Sequence, residues 1–252
     1  MGSKKKNKWI YRLLPAVFWL GAWQLCAAWV GKELLLPSPW AAFHTLLTLV
    51  GTEEFWRSVL LSLGRISLGF LLGAGLGTLL GILTAASRWG ELLLSPALRA
   101  VRTVPVVSFI LLLYFWLPTG RVPVAVAALM GLPVVWRAAR QGLAAADPLL
   151  LELAGAYRLS PCRRVTHIYL PAALPALAAG WETALGLSWK AGVAAEVLCQ
   201  PKWAVGTGLQ ISKAYLDVPG LFAWTTVTIL LSLFTERVLR LALQPWRGGG
   251  AK

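Results

Sequence analysis

The sequence predicts an all-α integral membrane protein: six membrane-spanning helices, with a polar helical hairpin between the fourth and the fifth. Three observations predict it. The 252-residue chain is 58% hydrophobic and only 13% charged, far more apolar than a soluble domain. Six apolar runs are close to the roughly 20 residues that cross a bilayer or exceed them, at about 13–30, 57–86, 99–117, 122–139, 172–198 and 218–241. The cations between those runs are partitioned. With Met1 in the cytoplasm, Arg88, Arg99, Arg102, Arg137, Arg140, Arg158, Arg163, Arg164, Arg237, Arg240 and Arg247 fall on that side, and the other side receives only Lys32, Arg57, Arg121, Lys202 and Lys213. That bias orients the chain with both termini inside.

The chain opens M-G-S-K-K-K-N-K-W-I-Y-R, a basic stretch over 1–12 that reads as a cytoplasmic anchor for the first span. The apolar run behind it is too long for a signal-peptide core, and no small-residue cleavage site precedes Lys32. Lys6 stands where myristoylation needs Ser or Thr. Pro37 and Pro39 then break the chain, and Trp40 to Val50 reads as an interfacial amphipathic helix. His44 on that helix reads as a polar surface residue.

The second span carries Gly69, Gly73, Gly77 and Gly81, four apart, with Gly75 added. Such a stripe lets another helix approach to backbone contact; packing within the chain is favoured over a seam between two copies. Arg65 lies inside this span, where an unpaired charge costs at least ~2.5 kcal/mol. Spans three and four carry Pro105 and Pro133, which kink helices. Trp29, Trp40, Trp116 and Trp203 are among the tryptophans near span ends, as interfacial anchors are; Trp136, Trp181, Trp189 and Trp224 lie deeper, where packing is favoured over lining a solute path.

Asp147 to Pro175 is the longest stretch unfit for lipid. Asp147-Pro148 and Ser160-Pro161 each read as an N-cap followed by the first helical residue, so the segment folds as two short helices bent near Arg158 and Leu159. Val165, Ile168 and Tyr169 share one face of the second; Arg163, Arg164 and His167 lie elsewhere on it. Leu170-Pro171 closes the segment.

The fifth span holds Glu182, Lys190 and Glu196. The two acids are nearly four turns apart and share a face. Topology sets Arg65 and Glu196 in the same half of the membrane, so they are expected to pair, and exchanging the two charges is expected to rescue either single reversal. Gly206-Thr207-Gly208 follows in an outer loop, and the sixth span ends at Glu236-Arg237 before a frayed tail over 248–250.

A net charge of +14 suits nucleic acid as a partner, but long uncharged runs do not. Cys26, Cys162 and Cys199 are too scattered for a disulfide framework or a metal site. No G-x-x-x-x-G-K-[ST] string occurs, so any ATP that powers the chain is hydrolysed by another polypeptide. Two histidines and few intramembrane acids argue against a membrane-embedded enzyme.

Glu152, Ala154, Ser160, Ile168, Leu170, Pro171 and Pro175 resemble the E-A-A loop of permease subunits from bacterial ABC importers. The chain departs from that pattern at Leu153, in the second position, and at Arg158, where the family usually carries Gly. Arg there must avoid positive φ or accept strain. Leu36-Pro37-Ser38-Pro39, Ser62-Leu63-Gly64-Arg65, Ala194-Ala195-Glu196 and Gly206-Thr207-Gly208-Leu209 are similar, in order, to the nitrate/sulfonate/taurine type.

The resemblance implies a type I permease: a single domain over 1–252, with core spans over 57–241 and a cytoplasmic coupling loop over 147–171, in the bacterial inner membrane. It implies two ABC ATPase subunits, a second permease copy and an extracytoplasmic solute-binding protein as partners, and no cofactor. Asp147, Glu152, Ala154, Gly155, Arg158, Ser160, Leu170 and Pro171 would form the ATPase-coupling surface. Glu152 would orient the first coupling helix, Ala154 and Gly155 would admit close docking, and Leu170-Pro171 would fix the hairpin at the membrane. Arg65, Glu182, Trp189, Lys190 and Glu196 are the intramembrane polar and pathway candidates. A channel or secondary carrier that needs no ATPase is the alternative.

Overall fold

The structure, a computed structural model, describes residues 3–247. The side chains of the basic stretch over 1–12, Trp9 with them, and the tail over 248–250 lie outside the described residues. Among the described residues all regular structure is helical.

Helix α1 (Ser3–Val30) leads into α2 (Pro39–Val50). Ser38 caps α2: its Oγ accepts from the Ala41 N–H at 3.1 Å, with Pro39 in the first turn. The indole of Trp23 donates to the Pro37 carbonyl at 3.0 Å and stacks on Phe222, tying α1 to the linker before α2 and to the last helix of the chain. His44 is exposed.

Helix α3 (Glu53–Ala86) crosses the whole bundle. Gly69, Gly73, Gly77 and Gly81 all turn inward against α6 (Val122–Ala144). A Cβ at Gly73 would stand 2.5 Å from the Ala128 carbonyl oxygen, and one at Gly77 2.6 Å from that of Leu132. The stripe is therefore a seam within the chain. Gly75, off the stripe, faces open space.

Between these two helices the expected third span is broken. Helix α4 (Arg88–Thr103) and α5 (Val106–Trp116) meet at 103° instead of forming one kinked rod over 99–117. Pro105 is the cause: it sets Val104 extended (φ −71°, ψ 132°) and stands at the N-cap of α5. At 11 residues α5 is about 16 Å long, too short to cross alone.

Past α6 come α7 (Pro148–Ala156), α8 (Pro161–Arg164), a π-helical turn over Val165–Tyr169, and α9 (Leu170–Cys199). Helix α10 (Val205–Ala214) and α11 (Val218–Arg247) end the chain. The glycine pair expected in a loop thus opens α10. Gly206 lies against Glu196, and Gly208 against the Trp224 ring, where any side chain would collide.

Helix α6 is held between α3 and α9. Its Val135 and Ala139 meet Ile66, Phe70 and Ala74 of α3 and Ala173, Leu177, Leu185 and Trp189 of α9 in the main core. Leu68, Leu71 and Leu72 of α3, Leu111 and Phe115 of α5, and Ile229, Leu230 and Phe234 of α11 point outward, as lipid-facing side chains do. Helices α3, α6 and α11 are each long and apolar enough to cross a membrane, and the bent α4–α5 pair adds a fourth crossing if it is one span. Glu182, Lys190 and Glu196 interrupt the apolar run of α9.

Candidate functional site

The hairpin is built by its caps. Asp147 Oδ1 accepts from the Leu149 N–H at 2.9 Å, and Pro148 fills the first turn of α7. At the other end of α7 the chain reverses through paired bonds, Leu159 N–H to the Ala154 carbonyl at 2.9 Å and Arg158 N–H to that of Gly155 at 3.0 Å. This is the Schellman arrangement, which asks for a left-handed residue, usually Gly, one place beyond the cap. Arg158 occupies it with φ +51°. The strain that Arg would otherwise avoid is accepted, at about 1–2 kcal/mol.

A residue that the sequence did not single out for the site holds the turn closed. Arg164 donates from Nε to the Leu159 carbonyl at 3.1 Å and from Nη2 to the Ala154 carbonyl at 3.3 Å. These two carbonyls end α7 and its turn, and a guanidinium fork suits such a pair. Nothing in spacing separates Arg164 from Arg163. Ser160 takes the extended backbone of an N-cap, but its hydroxyl makes no cap bond.

Ala154 turns inward. It is buried with Ala146 and Ile168, and Leu151, Leu159 and Tyr169 close around them. Its small size fits the inside of the hairpin. Gly155 has open space beside it. Leu149 (62% exposed), Leu150 and Leu153 with Tyr157 (79%) turn outward, as does Glu152. Exposed apolar patches of this kind mark interaction surfaces.

Leu170-Pro171 does not end the second arm. The chain stays helical from Pro161 to Cys199. In a regular α-helix Pro171 would press its ring on the His167 carbonyl. The π turn, closed by the Leu170 N–H on the Val165 carbonyl, widens the helix just there. The hairpin is thus the direct extension of α9.

The polar residues of α9 reach different neighbours. Glu196 is fully buried, and Arg65 Nη1 lies 3.7 Å from its Oε1, the pair expected from topology. Closer partners hold it: the Ser62 hydroxyl at 2.8 Å and the Gly206 N–H at 3.1 Å, while Ser62 also accepts from the Val205 N–H at 2.9 Å. The carboxylate so caps the first turn of α10, where Ala204 offers no side chain to do it. Arg65 donates to the carbonyls of Trp203 (3.0 Å) and Lys202 (3.2 Å).

Although Glu182 shares its helix face with Glu196, it turns toward Arg240 of α11 at 3.7 Å. Trp189 is buried and donates to Thr235 Oγ1 at 2.7 Å, again toward α11. Trp136 donates to Thr84 Oγ1 at 2.9 Å and lies beneath the guanidinium of Arg140, which pairs with Glu91 at 2.6 Å. Lys190 alone of the candidates on α9 is exposed. Among the described residues no cluster of three His, Cys, Asp or Glu could hold a metal.

The sequence profile of one family, described as binding-protein-dependent transport system inner membrane component, matches residues 77–246. A permease protein named for aliphatic sulfonate transport, SsuC of Bacillus subtilis (strain 168), is 30% identical over 97% of this chain and 90% of its own length. The taurine transport system permease protein TauC of Escherichia coli (strain K12) is 25% identical over 90% of this chain and 85% of its own. Among solved structures, an amino acid ABC transporter chain matches with a TM-score of 0.63 at 16% identity, covering 80% of this chain and 97% of that one. A chain of a bacterial ABC transporter for alginate import matches at 0.58 and 17%, covering 94% and 96%. At such identities the two structures speak for the fold.

Proposed function

The chain belongs to the family of binding-protein-dependent transport system inner membrane components, and on that premise we propose that it forms the path of a sulfonate- or taurine-type ABC importer. As a member it is a membrane permease without catalytic activity; ATP is hydrolysed on partner subunits, and an external binding protein delivers the solute. Two copies of the chain face each other, each with an ATPase below it. Both termini lie in the cytoplasm, and α1, α3, the α4–α5 pair, α6, α9 and α11 make six crossings.

One observation carries the coupling role. The hairpin over 147–169 shows Leu149, Leu153 and Tyr157 to solvent, and its second arm runs unbroken into α9. An ATPase dimer that closes on nucleotide grips the outward face of α7 and moves α9 as one piece. That biases the bundle between inward-open and outward-open packings. Glu152 and Tyr157 form the gripped face, and Asp147, Arg158 and Arg164 hold its shape. Arg65 and Glu196 act as structural anchors at the far end of α9.

A photo-crosslinking residue at Tyr157 tests this in the chain's own host membrane. It is expected to capture a nucleotide-hydrolysing subunit. Capture of none, with the chain intact in the membrane, rejects the importer in favour of a channel or secondary carrier.

A further inference from the structure

Where α3, α5 and α11 show Leu, Ile and Phe, one outward strip of α9 carries Ala179, Thr183, half-buried Gly186 and Lys190, with the exposed Leu187 beside it. Lys190 stands nine residues short of Cys199, about 13 Å along the helix. Its exposed ammonium is too deep for its stem to carry wholly out of the hydrocarbon. It forms no ion pair among the described residues. Facing lipid there is costly, so this strip faces water or protein.

The same strip leads into a groove of about 470 Å³ between α6 and α9. Arg102, Arg137, Gln141 and Thr183 supply its polar lining, and no carboxylate lines it. Glu91, the acid near these arginines, is taken by Arg140 at 2.6 Å, and Glu182 turns the other way, to Arg240.

We propose that this strip is a track for a small organic anion: Lys190 carries the anion's charge past the apolar middle of the membrane, and Arg137 and Arg102 receive it at the groove. On the import reading, which it rests on, it is the wall of α9 that borders the path. A sulfonate suits it, because three oxygens share one charge and can pass between an ammonium and a guanidinium without losing a charge-assisted bond.

The field on the strip can be read without knowing the cargo. In the assembled transporter, with Cys26→Ser, Cys162→Ser and Cys199→Ala, Thr183→Cys places a thiol two turns from Lys190. Two methanethiosulfonate reagents serve as probes, one ending in a sulfonate and one in a quaternary ammonium. The sulfonate reagent is expected to react faster, relative to a free thiol, and Lys190→Gln to lower that preference about fivefold. A thiol that neither reagent reaches, or a preference that Lys190→Gln leaves unchanged, overturns the track. ATP-driven uptake of ethanesulfonate by the same vesicles separates the two readings: its absence beside an intact Lys190-dependent preference counts against the sulfonate import reading and leaves the track standing.

Discussion

Arg65 and Glu196 approach to 3.7 Å, yet neither is the other's main partner. Glu196 accepts from Ser62 and from the backbone of Gly206, and Arg65 donates to the carbonyls of Lys202 and Trp203. A buried carboxylate is costly unless its lone pairs are filled, and here they are filled chiefly by groups that do not titrate.

Exchanging the two charges should therefore fail to rescue either single reversal, contrary to the expectation from topology. An arginine at 196 cannot accept from Gly206. Glu196→Ala should destabilise the folded subunit by about 3 kcal/mol or more, and Glu196→Gln, which keeps an acceptor, by about 1 kcal/mol. Thermal melts of the detergent-purified complex rank the variants. Recovery in the swap would restore the simple pair.

The glycine seam sets apart two substitutions that look alike in sequence. Gly77→Ala drives a methyl against the Leu132 carbonyl and should cost about 1–3 kcal/mol. Gly75→Ala meets open space and should leave the melt where it was. Equal effects would mean that α3 and α6 do not meet along this face.

Arg158→Gly should stabilise the hairpin by about 1 kcal/mol, since glycine takes positive φ without penalty. Arg164→Ala should loosen it by a similar amount, because the Leu159 carbonyl loses its donor and the Ala154 carbonyl keeps only the Leu159 N–H. Hydrogen exchange of the amides over 154–160 reads both, with slower exchange expected in the first and faster in the second.

Inside and outside positions of the hairpin should fail differently. Ala154→Leu overfills its core and should lower hairpin protection and ATP-driven uptake together. Glu152→Lys and Tyr157→Asp leave the fold alone, and should lower uptake and the hydrolysis stimulated by loaded binding protein with protection unchanged. Matching protection losses in all three would move the gripped face elsewhere.

Much of the fold is legible in the residues. Asp147-Pro148 marks its helix because an Asx oxygen and a proline solve the same first-turn problem locally. The glycine period places a seam because only glycine leaves the backbone bare. The break at Pro105 reads in sequence as a kink, since a proline signals a lost N–H but not how far the chain turns. The ends of α9 are less legible. Leu170-Pro171 looks like a stop because proline forbids a regular turn, and a π turn is the exception that spacing does not announce. Ala154 and Gly155 look alike in sequence, yet one lies inside the hairpin and the other in open space. Which acid caps α10 is hidden as well, because Ser62 and Gly206 lie far apart along the chain and meet only when it folds.

The widened turn over Val165–Tyr169 also sets a phase. One extra residue per revolution means that the azimuth at which the hairpin leaves the bundle is fixed apart from the azimuths of Glu182 and Glu196 further along the helix. Removing or adding one residue there would swing the hairpin about 100° round the axis while every contact among the spans stayed in place. The chain can thus be re-aimed at a differently shaped motor without repacking the part that lies in lipid.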